Sequence, residues 1–164
     1  MWESLNDDDL DDLRQVEKVK VSGTRLKAKH GLFMEQQFEL SSERPDFQFR
    51  LYRRHHISNK AVFSVGLQAL IEGQWLTLCR YNGPYHAHRN EIERNRLVDT
   101  PHIHRATTKY IREASHPDGF AESTDRYTDV EGAWSCILAD CNVHGVPPSS
   151  NQPQDDDPNF RLDF

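Results

Sequence analysis

The chain has 164 residues, of which 36% are hydrophobic and 28% are charged, and its formal net charge at pH 7 is −6. This length predicts one domain with a modest core, since two domains of ordinary size need a longer chain. No apolar run approaches the roughly 18 residues that a membrane span needs, and the aspartate-rich opening at 7–9 is unlike a signal peptide. These features argue against a membrane protein and favour a cytoplasmic location.

The first predicted elements are a helix and a strand. Apolar residues at helical spacing between Ser4 and Lys20, with aspartates in the first turn, predict an amphipathic helix. Residues 21–43 predict a loop or a short strand pair. The alternation of apolar and polar residues over 47–52 predicts a strand with one buried face and one basic face.

Three more strands and a second helix follow. Turns at Ser58-Asn59 and Glu72-Gly73 delimit strands over 61–71 and 75–81, and Pro101 marks the start of a fourth strand that runs to Ile111. A polar excursion over 85–100 separates the last two strands. Apolar residues at helical spacing predict a helix from Asp129 to Cys141.

Together these elements predict an α+β fold. We expect a single domain over residues 1–142, with an antiparallel meander of four or more strands flanked by an N-terminal and a C-terminal helix. Residues 143–164 are acidic and rich in Pro and Ser, a composition that predicts a flexible tail. The three cysteines form no C-x-x-C pair, and we expect reduced thiols and no disulfide.

The net charge conceals a basic middle segment. Residues 44–112 contain twelve Lys or Arg against five Asp or Glu, so the remainder of the chain is strongly acidic. A basic segment suits an anionic ligand such as nucleic acid, and acidic ends can suppress promiscuous binding. Solvated charge on a half-exposed sheet is the alternative explanation.

Two His-x-His pairs lie within this basic segment, His86 with His88 and His102 with His104. Residues i and i+2 of a strand point to the same face, so each pair can present two imidazoles together. Imidazole exchanges protons near neutral pH and also binds metals. The cluster therefore predicts a site, unless these histidines only decorate a surface.

A metal site is one possibility that the pairs leave open. Two neutral imidazoles on a strand can approach one metal ion, and Glu91, Glu93 or Asp99 could complete the ligands. None of these carboxylates sits at a recognised ligand interval, and the nearby arginines oppose a divalent cation. We therefore predict no metal and no cofactor.

Acid-base cleavage of RNA is the alternative that fits a basic environment. One group must deprotonate the ribose 2′-hydroxyl, another must protonate the leaving oxygen, and a cation must steady the phosphate. We predict His102 or His104 as general base or acid, His86 as the complementary group and Arg80 as the phosphate clamp. Further phosphate contacts are expected from Arg54, Lys60 and Arg105. The neighbouring rings of Tyr52, Tyr81, Tyr85 and Tyr110 could stack on unpaired bases, and we expect Tyr81 in substrate binding.

Familiar nucleotide-binding, hydrolase and zinc-protease motifs are absent from the sequence. However, Leu78-Cys-Arg80-Tyr-Asn82-Gly-Pro-Tyr-His86 followed by Pro101-His102-Ile-His104 resembles a signature of the TumE-like toxins of bacterial toxin-antitoxin modules. The resemblance covers residues 47–112. It implies a compact α+β toxin that acts on RNA and a cognate antitoxin protein as its partner.

The same resemblance implies site status for Arg80, Asn82, His86, His102 and His104, with Asn82 in substrate binding. A noncatalytic interaction protein of phage or mobile-element origin is the rival interpretation. In that case the acidic residues near both ends would engage a basic partner or shield the basic face.

Overall fold

The computed structural model describes residues 2–29 and 31–148 as an α+β fold built on a mostly antiparallel sheet. This confirms the predicted fold class. The helices are α1 (Asp7–Gln15), α2 (Thr108–Glu113) and α3 (Val130–Asp140). The strands are β1 (Lys18–Gly23), β2 (Lys27–Lys29), β3 (Phe33–Ser42), β4 (Gln48–His56), β5 (Phe63–Ile71), β6 (Gln74–Asn82), β7 (His88–Arg89), β8 (Arg96–Leu97), β9 (His102–Arg105), β10 (Phe120–Ser123) and β11 (Val143–His144).

The main sheet has nine strands in the order β10-β9-β6-β5-β4-β3-β1-β11, with β2 paired to β3. Every described pair in it is antiparallel except that of β1 with β11. The predicted meander is its centre, β4 to β6. Strands β7 and β8 form a separate hairpin within the polar excursion.

Helix α1 is shorter than the pattern from Ser4 to Lys20 predicted. It begins after Asn6, which forms a capping box with Asp9, and it ends at Gln15. Lys18 belongs to β1, where its buried ammonium donates to the carbonyls of Arg14, Val16 and Cys141. These bonds hold the chain where the helix gives way to the strand.

Two other predictions were only partly right. Residues 21–43 contain the antiparallel pair of β2 and β3, as one alternative predicted, but β3 is ten residues long. Its regular pairing with β4 is a tertiary contact that local sequence does not reveal. The strand predicted from Pro101 to Ile111 ends at Arg105, because Thr107 caps α2 by accepting a hydrogen bond from the backbone N–H of Tyr110.

Helix α3 follows the predicted helix closely. Asp129 caps it by accepting from the Gly132 N–H, and Cys141 follows its last turn. The chain then continues into β11, so the last described element is a strand and not the predicted helix. This strand lies beyond residue 142, where we expected the domain to end. The tail predicted over 143–164 falls mostly outside the described residues, which end at 148.

The sheet has one apolar and one polar face. The apolar face packs against α1 and α3 in a single core, with Trp134 of α3 fully buried beside Phe38. The other face carries Arg50, Tyr52, Arg54, Arg80, Asn82, His102 and His104. None of the described helices is long and apolar enough to cross a membrane.

Candidate functional site

Two adjacent rows of side chains cross four strands of the polar face. In the first row the register pairs Tyr52 with Gly66, Gly66 with Arg80, and Arg80 with His104. Directly paired residues of antiparallel strands point to the same side of the sheet. The first row therefore spans three strand spacings, about 14 Å, from a tyrosine through an arginine to a histidine.

The second row lies beside the first because its members are two residues away along each strand. Arg54 pairs with Ser64, Ser64 with Asn82, and Asn82 with His102. The Ser64 hydroxyl donates to Oδ1 of Asn82 at 2.8 Å, which fixes that amide on the polar face. The two rows thus gather cationic, amide and imidazole groups on one surface.

Three imidazoles meet where these rows end. The ring centroids of His88 and His104 are 4.4 Å apart, those of His102 and His104 are 5.1 Å apart, and those of His88 and His102 are 5.7 Å apart. His102 and His104 are buried, whereas His88 is half-buried on the β7–β8 hairpin. The hairpin therefore brings a third histidine to the pair on β9.

Hydrogen bonds to acceptors fix the orientation of all three rings. Nδ1 of His102 lies 3.0 Å from the Thr100 carbonyl oxygen, and Nδ1 of His104 lies 3.0 Å from that of Asp118. Nε2 of His88 lies 2.8 Å from the Gly119 carbonyl oxygen. A carbonyl oxygen can only accept, so each of these nitrogens carries the proton.

The environment keeps two of the rings neutral. Burial lowers the pKa of His104 to about 2, and the positive charge of Arg80 acts in the same direction. Burial also lowers the pKa of His102. At neutral pH both rings therefore present an unprotonated Nε2 and cannot supply a proton.

Arg80 is held beside the imidazoles by the turn before β10. Its Nε lies 3.3 Å from Oδ2 of Asp118, an ion pair whose angle is too poor for a hydrogen bond. The Nη groups form no hydrogen bond with the described residues, and about a third of the side chain is exposed. The guanidinium can therefore still bind an anion in a bidentate manner.

Asn90 attaches the hairpin to the sheet and supports His88. This buried amide donates to the carbonyl of Ala121 and accepts from its N–H, both at 2.9 Å, as a neighbouring strand would. The same Oδ1 lies 3.0 Å from Nε2 of His88. Asn90 therefore couples the position of the imidazole to the edge strand β10.

The structure places five of the predicted site residues on the polar face: His102, His104, Arg80 and Asn82 are neighbours, and Arg54 lies at the far end of the second row. Four others lie elsewhere. His86 is exposed and packs its ring edge-on against Tyr85, with centroids 4.3 Å apart, so it is not in the cluster. Lys60 is exposed in the turn between β4 and β5.

Tyr81 and Arg105 point away from the polar face, because they alternate with Arg80 and His104 along their strands. The Tyr81 ring is buried against Tyr127, and its hydroxyl donates to Asp140. Arg105 forms an exposed ion pair with Glu122 of β10. The structure does not offer Tyr81 for base stacking; the half-buried rings of Tyr52 and Trp75 lie on the polar face.

The sequence did not identify Asp118 and Asn90 as residues that position the site, and it did not show that His88 belongs to the cluster. His88 was visible in the His86-x-His88 pair, but the local pattern does not tell which of the two turns inward. Asp118 looked like an ordinary turn residue in His116-Pro-Asp-Gly119. Asn90 carries no signal, since its partners are 31 residues away in the chain.

Neutral imidazoles are common metal ligands, so the side chains of His88, His102 and His104 are of a type that can bind a metal ion. Within the described ranges, however, no group of three or more His, Cys, Asp or Glu side chains is arranged to hold a metal ion. The arrangement suits a hydrogen-bonding ligand that carries negative charge next to Arg80.

No family model, curated protein or solved structure matches this chain. The likeness to the TumE-like toxins thus depends on the short motifs around Arg80, His86 and His102, and what it implies about activity belongs to the proposal that follows.

Proposed function

We propose that this protein is a toxin-like, metal-independent ribonuclease that holds a single RNA strand across the polar face of its sheet. The observation that carries the proposal is the pair of rows that places Arg80 next to His104 and Asn82 next to His102. A phosphate on Arg80 would then lie beside acceptors that can take a proton. The proposal places the protein in the cytoplasm, with a cognate antitoxin as its protein partner.

The neighbouring residues suit an extended strand of nucleic acid. The Arg54 guanidinium at the far end of the second row provides a second cation for the phosphate backbone. The Tyr52 ring in the first row offers an aromatic surface on which an unpaired base can stack. Arg50, over the Trp75 ring at 4.1 Å, extends the cationic and aromatic surface along the same face.

Cleavage in this proposal is an internal transfer. The 2′-oxygen attacks phosphorus and gives its proton to an imidazole, the bond to the 5′-oxygen breaks, and that oxygen receives a proton. Because His102 and His104 are neutral at pH 7, they suit the accepting step only. The exposed imidazole of His86 lies outside the cluster, so water, and not His86, protonates the leaving oxygen in the proposed step.

The low basicity of His104 also favours a second candidate function. A ring with a pKa of about 2 is a weak proton acceptor near neutral pH. A noncatalytic protein that binds RNA or an acidic partner through the same face would need only the cations and the acceptors.

Incubation of the full-length protein with labelled single-stranded RNA tests the proposal, with and without EDTA. We expect cleavage that the chelator does not affect, and a rate lowered by roughly 10² in Arg80→Gln, which removes the phosphate clamp. Arg112→Gln is the matched control, because Arg112 is exposed on α2. Loss of cleavage in EDTA would contradict metal independence, and binding without cleavage would favour the noncatalytic candidate.

A further inference from the structure

The hydrogen bonds of His102 and His104 determine what the pair can recognise. With the proton of each ring on Nδ1 and directed to a backbone carbonyl, each Nε2 has only a lone pair to offer. His102 and His104 are only 4% and 3% exposed, but neither Nε2 is fully enclosed and neither bonds to another described residue. The pair therefore presents two hydrogen-bond acceptors, the Nε2 atoms of His102 and His104.

Hydrogen-bond donors lie directly beside these two acceptors. Arg80 pairs with His104 across β6 and β9, and its Nη groups have no partner within the described chain. Asn82 pairs with His102, and its Oδ1 already accepts from Ser64, which leaves its Nδ2 to donate. The surface thus alternates acceptors for a neutral hydroxyl with donors for an anion.

A ribonucleotide has the complementary arrangement, because its 2′-hydroxyl is a hydrogen-bond donor next to the 3′-phosphate. We propose that Nε2 of either His102 or His104 accepts the one hydrogen bond that the ribose 2′-hydroxyl can donate, and that this contact selects RNA over DNA at the binding step. This rests on the proposed function, since it assumes that the phosphate binds at Arg80. The selection does not depend on cleavage.

Binding of four oligonucleotides of one sequence to the full-length protein tests the inference: RNA, DNA, 2′-fluoro RNA and 2′-O-methyl RNA. Fluorescence anisotropy at 4 °C gives each Kd, and a gel confirms that the RNA stays intact. We expect the three analogues to bind about 5- to 10-fold more weakly than RNA, the effect of losing one hydrogen bond. The 2′-fluoro strand is the decisive probe, because it keeps an RNA-like sugar but cannot donate.

His104→Asn and His102→Asn provide the matched variants. The Asn amide reaches the position of Nδ1 and keeps the bond to the backbone carbonyl, but it leaves no acceptor at Nε2. In the variant that removes the accepting nitrogen the preference for RNA should fall towards twofold or less, while DNA binding stays unchanged. His144→Asn is the control, because His144 lies on β11 at the opposite edge of the sheet.

The outcomes separate this inference from the proposed function. Equal affinity for RNA and 2′-fluoro RNA, with both weakened by Arg80→Gln, would overturn the 2′-hydroxyl contact and leave RNA binding at this face intact. Unchanged RNA preference in both histidine variants would also overturn it. Failure to bind any of the four strands would overturn the proposed function together with the inference.

Discussion

At the scale of single residues, the neutral state of His104 has a consequence for stability. The unfolded chain takes up a proton at this imidazole below about pH 6.5, whereas the folded chain, with a pKa of about 2, does not. The folded state is thus favoured fully above pH 6.5, and this contribution is lost as the pH falls towards 2.

We therefore predict that the wild-type protein loses about 1.4 kcal/mol more of its unfolding free energy between pH 7.5 and 5.5 than His104→Asn does. Urea unfolding at both pH values measures the difference. His144→Asn should keep the pH dependence of the wild type, since His144 is exposed. Parallel losses in the wild type and His104→Asn would show that His104 takes up its proton in the folded protein.

Gly66 is a second residue whose identity the site requires. A Cβ at this position would lie 2.5 Å from Cε1 of Tyr52, so the tyrosine ring can cover this part of β5 only because the residue is glycine. We predict that Gly66→Ala destabilises the fold by about 1–3 kcal/mol through overpacking. Thermal unfolding measures the change.

The same substitution in a Tyr52→Leu background is the control for that explanation. If the ring is the obstacle, the added methyl should cost clearly less once the ring is gone. An equal cost in both backgrounds would mean that the strand itself, and not the tyrosine, rejects a side chain at Gly66.

At the scale of elements, the β7–β8 hairpin depends on a side chain for its attachment. Asn90 replaces a neighbouring strand at Ala121, so its removal leaves a buried N–H and a buried carbonyl of Ala121 without their partner. We predict that Asn90→Ala costs about 2–4 kcal/mol in urea unfolding. Asn95→Ala should cost about 1 kcal/mol, because Asn95 is exposed and its side chain accepts one hydrogen bond from Asn90. Similar costs for the two variants would contradict the attachment of the hairpin by Asn90.

The register of β4, β5, β6 and β9 is the other property of elements that makes the site. In each strand the residues of the two rows alternate with residues that face the core, so a slip by one position would turn Arg80 and His104 into the core. The polar face thus results from the burial of residues such as Leu51, Val65 and Leu78 on the other side.

At the scale of the whole molecule, the core encloses two of the three thiols. Cys79 of β6 and Cys141 after α3 are buried with their sulfur atoms 3.6 Å apart, whereas Cys136 is half-buried on α3. The hydrogen bond to Cys141, together with burial, raises the pKa of Cys79. Enclosure slows the reaction of both buried thiols with a disulfide reagent, and the raised pKa also lowers the thiolate content of Cys79.

We predict that one thiol of the native protein reacts readily with such a reagent and that the other two react only after unfolding in guanidinium. Absorbance of the released thiolate counts them. Cys136→Ser should abolish the fast phase and leave the slow one. Three equal rates in the native protein would contradict the packing of α3 against β6.

The central strands and α3 were predictable because their evidence is local. The alternation over 47–52, the turn at Glu72-Gly73 and the helical spacing after Asp129 reflect which side of each element is buried. The ends of α1 and β9 were not predictable from such patterns. The end of α1 depends on the bond of Lys18 to the carbonyl of Cys141, which is 123 residues away in the chain. The cap at Thr107 is a local contact with Tyr110, but the strand pattern over 101–111 concealed it.

The sequence by itself determined the composition of the site, since the arginines and histidines of residues 80–104 lie in strands whose alternation puts Arg80 with Asn82 and His102 with His104. Tertiary structure decided which groups meet. Strand pairing set Arg80 beside His104, and Asn90 and the carbonyl of Gly119 brought His88, not His86, to the cluster. Burial then decided that His104 is neutral, because desolvation depends on the packed surroundings and not on neighbours in the chain.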